Sequence, residues 1–169
     1  MDVIPHVVAV PPLVPDPAGR AAILARLDLP ADARLILYAF DGASYLVRKN
    51  PHALVRAFAA SGLAREGWRL VLKTKNLMDR ADEGVALATL AGGDPAVRLI
   101  DQPLSQDEMA ALFAAADIYA SPHRSEGFGL TIAEAMAMGK AVVASRSAAV
   151  LSAVAKAASS TSPQTPPLV

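Results

Sequence analysis

One stretch of the chain, Ser121-Pro-His-Arg-Ser-Glu-Gly-Phe-Gly-Leu-Thr-Ile-Ala-Glu134, concentrates residue types that can do chemistry at short spacing. Gly127 and Gly129 allow a backbone to approach a ligand closely. If a helix begins just beyond them, the N–H groups of Gly129, Leu130 and Thr131 have no acceptor inside that helix and point at an anion lying past its N-terminus. A phosphate or diphosphate is the natural occupant. Glu126 and Glu134 bracket that position. On a single helix their spacing, at ~1.5 Å per residue, amounts to about 12 Å along the axis. That is too far for two carboxylates sharing one glycosidic bond, which need roughly 5–9.5 Å. It suits two acceptors that grip hydroxyls at different ends of an elongated ligand, with a sugar at one end, a ribose at the other and phosphates between. The alternative for Glu134 is a helical carboxylate facing solvent. His123 also has two readings, as a donor to a sugar or phosphate and as a histidine bonded to nearby backbone.

These groups need elements to hold them, and the patterning supplies a series. Residues 1–16 are proline-rich and read as an extended lead-in. Asp16-Pro17 opens a helix with Ile23, Leu24 and Leu27 on one face, ended by Pro30. Strands are expected over Arg34–Phe40, Trp68–Leu72, Val97–Ile100, Asp117–Ala120 and Ala141–Ala144. Helices are expected from Asn50-Pro51 to Gly62, from about Asp79 to Leu90, from the Ser105/Glu108 capping box through Phe113, and from Leu130 to Met138 before Gly139. Strands and helices alternating at these lengths imply an α/β fold, with a parallel sheet covered by helices on both faces. The chemistry-bearing stretch then falls where a strand gives way to a helix, the end of an open parallel sheet at which ligands bind. The domain spans 17–145. Residues 146–169, rich in Ala, Ser, Thr and Pro, read as a partly disordered tail without a site.

Composition narrows the function classes. Sixteen basic residues balance sixteen acidic ones, so no overall field draws the chain to nucleic acid or to an anionic membrane. There is no cysteine, which excludes a disulfide framework and thiolate metal sites. His6, His52 and His123 are scattered without carboxylate partners at ligand spacing, so no metal and no cofactor is expected. No apolar run reaches the roughly 20 residues of a transmembrane segment. Gly139-Lys140 is not a phosphate loop, because Ala141 stands where a hydroxyl residue belongs. Met136 and Met138 read as core filling.

The run S-E-G-F-G-L-T-I-A-E-A-M-A-M-G-K-A-V-V-A-S closely resembles the E-x7-E segment of group 1 retaining glycosyltransferases of the GT-B fold. Upstream, Tyr45-Leu-Val-Arg-Lys-Asn-Pro51 is similar to the lysine-containing loop after the first strand of their C-terminal, donor-binding domain. The likeness runs from about residue 30 to 145. It implies a Rossmann-like half of a GT-B enzyme, with a nucleotide-sugar donor (UDP-, GDP- or ADP-linked) as substrate. It implies that Glu126 contacts hydroxyls of the transferred sugar and that Glu134 accepts from the ribose. Backbone amides at Phe128, Gly129 and Leu130 would hold sugar hydroxyls and the distal phosphate. Lys49, with Arg48 beside it, would neutralise the diphosphate leaving group as its bond to the anomeric carbon breaks. An N-terminal acceptor domain outside this chain would complete the enzyme, so the chain alone is expected to bind donors weakly and turn over negligibly. The expected location is the cytoplasm or the inner face of the membrane.

Three places depart from the family pattern. Many relatives carry an Arg about six residues before the lysine, where this chain reads Phe40-Asp41-Gly42, so Arg48 serves instead or that role is absent. Lys73 and Lys75 stand where relatives have a Gly-rich turn, either reaching the phosphates or base or forming a solvated pair. Beyond Ala144 the pattern stops, as a truncation or frameshift would produce. Two other readings remain: a non-catalytic nucleotide-binding or interaction module, and a sugar phosphorylase or epimerase on the same architecture.

Overall fold

A computed structural model describes residues 16–125 and 129–145. Glu126, Gly127 and Phe128 lie outside the described residues, as do the tail 146–169 and all of the lead-in before Asp16.

Strands β1 (Arg34–Ala39), β2 (Trp68–Thr74), β3 (Val97–Asp101), β4 (Ile118–Ser121) and β5 (Ala141–Ala144) form a parallel sheet in the order β3-β2-β1-β4-β5. The helices are α1 (Pro17–Arg26), α2 (Leu46–Lys49), α3 (Pro51–Ser61), α4 (Ala81–Gly92), α5 (Gln106–Ala115) and α6 (Leu130–Ala137). β1 is central because its side chains are apolar on both faces, as burial on both sides requires. Leu35, Leu37 and Ala39 enter one core, with Leu24 of α1, Phe113 of α5 and Ile132 of α6. Ile36, Tyr38 and Phe40 enter the other, with Val55 and Phe58 of α3 and Leu87 of α4. Each fully buried leucine in these layers is worth about 1.5–3 kcal/mol of transfer free energy.

The capping box forms as expected: Glu108 N donates to Ser105 Oγ at 3.1 Å, and Ser105 N donates to Glu108 Oε2 at 2.8 Å. Other boundaries move. α1 stops at Arg26, short of Pro30, because Asp28 adopts a left-handed conformation with φ 56°. Asp16 stands at its N-cap position without a side-chain capping bond. The residues before Asn50 coil into the single turn of α2, and Asn50, left-handed at φ 57°, separates that turn from Pro51 at the start of α3. The helix expected from Asp79 begins instead at Ala81, after a 3-10 turn over Leu77–Arg80. α4 packs tightly on that turn at Gly84, where a Cβ would meet Leu77 O at 2.6 Å.

The strand order places a reversal at the centre of the sheet. From β1 the chain steps out to β2 and β3, then returns to put β4 on the other flank of β1, with Leu37 opposite Tyr119. Loops leaving the carboxyl ends of β1 and β4 therefore diverge and open a crevice. The other end of the sheet is closed by its own hydrogen bonds. The Arg20 guanidinium donates to Ala115 O and, at 2.7 Å, to Ala33 O, while Asp117 Oδ2 accepts from Leu35 N at 2.7 Å. Lys140 Nζ donates to Ala114 O at 2.6 Å, so Gly139-Lys140 is structural and remote from the crevice. Met138 is buried and Met136 packs against the same core, as expected of core filling.

Candidate functional site

The crevice is a cleft of about 560 Å³ at the carboxyl ends of the strands. Lys49 borders it, as do Gly129, Leu130 and Thr131 at the start of α6. Lys73, Thr74 and Lys75 border it from the end of β2, and Pro103, Leu104 and Met109 add an apolar stretch of wall. The start of α6 and the lysine after β1 thus border one cavity.

Gly129 sits at φ 74°, a left-handed conformation that glycine adopts without a Cβ penalty, and α6 starts directly after it. Its carbonyl already accepts from Ile132 N and Ala133 N, both at 3.0 Å. Among the described residues no acceptor takes the N–H groups of Gly129, Leu130 or Thr131. That leaves a set of backbone donors at the positive end of a helix, suited to an anion.

The Lys49 turn is bound to the loop after β4. Arg124 N donates to Arg48 O at 2.9 Å, Asn50 Nδ2 to Pro122 O at 3.2 Å, and Arg48 Nη1 reaches Ser125 O at 3.5 Å. Arg48 therefore braces the loop that leads into the glycine segment, and it is not among the residues lining the cleft. His123 is buried and accompanies Lys49: its Nε2 lies 3.2 Å from Lys49 Nζ and 3.3 Å from Tyr38 Oη, and its Nδ1 lies 2.5 Å from Ser121 Oγ. The ring nitrogens of His123 thus lie within reach of the Tyr38, Lys49 and Ser121 side chains, and His123 is not among the residues that line the cleft.

Gly42 accounts for one departure from the family pattern. Its N–H donates to Lys75 O at 2.9 Å, and an added Cβ would meet Leu77 Cα at 2.6 Å. The segment after β1 is thus pressed against the segment after β2, leaving no room for a long side chain at Gly42. Lys73, within β2, and Lys75, just after it, are not a solvated pair. Lys75 is exposed, whereas Lys73 is buried with its ammonium donating to Thr74 O at 2.5 Å. Burial lowers the Lys73 pKa, Asp101 opposes that shift, and Lys75 adds to it.

Glu134 is half-buried on α6, and burial raises its pKa above the usual carboxylate range. It is not among the residues that line the cleft. Lys49, Lys75, Gly129, Leu130 and Thr131 line the cleft together, whereas Arg48, His123 and Glu134 are not among its lining residues. Tyr38, Asn50 and Ser121 were missed by sequence reasoning. The signal available for Tyr38 was a hydroxyl in an otherwise apolar central strand.

A five-stranded parallel, Rossmann-like sheet with a cleft at its strand reversal has the form of one half of the GT-B architecture. The chain belongs to the group 1 glycosyl transferases, whose sequence profile matches residues 36–162. The match extends past Ala144, where the motifs alone had suggested a stop. The chain is 38% identical over 135 residues to D-inositol 3-phosphate glycosyltransferase of Xylanimonas cellulosilytica, covering 79% of this chain and 31% of that enzyme. It thus spans about a third of the length of the curated relatives it matches. Among solved structures it is similar to HepE of Anabaena in complex with UDP-glucose, with a TM-score of 0.67 at 22% identity over 80% of this chain and 36% of that one. It is also similar to the C-terminal domain of the group 1 glycosyl transferase LpcC of Francisella tularensis, with a TM-score of 0.57 at 23% identity over 74% and 64%. No helix among the described residues is long and apolar enough to cross a membrane.

Proposed function

We propose that this chain is the donor-binding half of a retaining, nucleotide-sugar-dependent glycosyltransferase that works without a metal. The observation that carries the proposal is the shared cleft, in which the Lys49 ammonium and the amides of Gly129, Leu130 and Thr131 border one cavity. A cation and a set of N–H donors around one space suit a diphosphate, and both act on charge that grows as the glycosidic bond to the leaving group breaks. The diphosphate lies over the start of α6, Glu126 takes hydroxyls of the transferred sugar, and Glu134 takes the ribose. Lys75 approaches the diphosphate from the end of β2, and Arg48 keeps the loop after β4 in place. HepE, which shares the fold, is described with UDP-glucose, so a UDP-linked donor is the first to try. A second α/β domain presents the acceptor, and catalysis takes place in the cytoplasm or at the inner face of the membrane.

Isothermal titration of the chain with UDP, GDP, ADP and their sugar conjugates tests the reading. Saturable binding of one nucleotide series is expected, with negligible sugar transfer. Absence of heat with every one of them would overturn it.

A further inference from the structure

Three side chains, Tyr38 on β1, Ser121 on β4 and His123 in the loop after it, gather beside Lys49, and the contact with its ammonium selects one arrangement of their protons. The ammonium of Lys49 can only donate, so its 3.2 Å contact with Nε2 of His123 is a hydrogen bond when that ring nitrogen is bare. Tyr38 cannot serve as the donor to that nitrogen, because its single proton goes to Lys49 O at 2.7 Å, a shorter contact than its 3.3 Å approach to Nε2. The proton of a neutral imidazole then resides on Nδ1, where Ser121 Oγ accepts it at 2.5 Å. The ring is buried, with 2% of its surface exposed, and Tyr38 packs edge-on against it at 5.5 Å between centroids. Ser121 stands at the end of β4, and its carbonyl receives Ser145 N at 3.0 Å, which ties this position to the end of β5.

We infer that His123 is a positioning residue: held by Ser121 as the Nδ1–H tautomer, it presents Nε2 as the acceptor that aims the Lys49 ammonium at the anion cleft. The Tyr38 hydroxyl fixes the carbonyl of Lys49 while His123 fixes the far end of the same side chain. A long, flexible cation is thereby ordered before ligand arrives, which removes part of the entropy cost of binding. The inference rests on the proposed donor site for its functional consequence; the tautomer itself does not.

Two measurements separate these parts. Nitrogen-15 spectroscopy of the histidine rings in the unliganded chain should find His123 protonated at Nδ1 with Nε2 unprotonated. An Nε2–H ring would overturn the inference whether or not nucleotides bind. In titrations with the nucleoside diphosphate that binds, His123→Phe should weaken affinity about tenfold and leave the affinity of the matching nucleoside unchanged. His123→Gln, which restores an acceptor at similar reach, should stay within about threefold of the unaltered chain. In a Lys49→Met background the change to Phe should have no further effect, because its partner is gone. Ser121→Ala, a small change suited to the case in which His123→Phe does not fold, should weaken diphosphate affinity about threefold by releasing the tautomer. Undiminished diphosphate affinity in the folded His123 and Ser121 variants, or equal losses for nucleoside and diphosphate, would overturn the inference alone. If the unaltered chain binds no nucleotide, the donor-site reading and this functional role fall together.

Discussion

Lys49 and Lys73 border the same cleft and carry the same ammonium, yet the protein treats them differently. Lys49 is half-exposed and its charge is met by the ring nitrogen of His123, a neighbour brought in from another strand. Lys73 is buried and donates to the carbonyl of the next residue along its own strand, with its pKa lowered by the loss of water. A cation with a long-range side-chain acceptor and an open face can be directed at a ligand. A desolvated cation tied to its own backbone contributes less to binding and costs stability, because burial disfavours its charged form. On the proposed reading Lys49, at the β1–β4 reversal, is directed at the ligand, whereas Lys73 on β2 is held by its own strand.

That contrast can be broken first at Lys49. Lys49→Met should reduce nucleoside diphosphate affinity about 10- to 100-fold, the scale of a lost hydrogen bond to a charged group, with little change in thermal stability. Calorimetry together with a melting curve checks both parts, and unchanged affinity would remove Lys49 from the site.

Glu134→Gln should come next, at about tenfold in affinity, and it sharpens the contrast through its opposite effect on stability. Burial raises the folded pKa of Glu134, so the folded state holds its proton more tightly than the unfolded state does. The resulting stabilisation is present at acid pH and is lost as pH rises through the raised value, leaving a buried charge as a cost at neutral pH. The amide removes that cost, so the melting temperature at neutral pH should rise by roughly 1–2 °C. In the unaltered chain, diphosphate binding should weaken as pH falls through the same value, because a protonated carboxyl is a poorer acceptor for ribose hydroxyls; in Glu134→Gln that portion of the pH profile should be flat.

Lys73→Met should have the smallest effect on binding, less than about threefold, and should leave stability the same or higher because a depressed base no longer has to be buried with its charge. A loss of affinity as large as that of Lys49→Met would show that both ends of the cleft hold the ligand.

Much of this protein was open to local reading. The alternation of strands and helices, the Ser105/Glu108 capping box and the Gly-rich junction before α6 each depend on residues a few positions apart, and periodicity reports such spacings directly. Boundaries were less legible where single residues such as Asp28 and Asn50 took left-handed conformations that end a helix early or interrupt one. Glu126, Gly127 and Phe128, central to the motif, lie outside the described residues, so their part in the site rests on the sequence alone.

The sequence by itself determined that a Gly-rich strand-to-helix junction follows Ser121, and the resemblance of the flanking residues pointed to the family. Only the tertiary structure decided that β4 lies against β1, and with it that His123 reaches Lys49, two residues 74 positions apart. It also decided that one of two neighbouring lysines is buried and the other exposed. Strand order is chosen by how apolar faces pack over long separations, which a pattern of period 2 or 3.6 cannot encode. Charge placement follows that choice, because whether an ammonium meets water, a carbonyl or an imidazole depends on which strand arrives beside it.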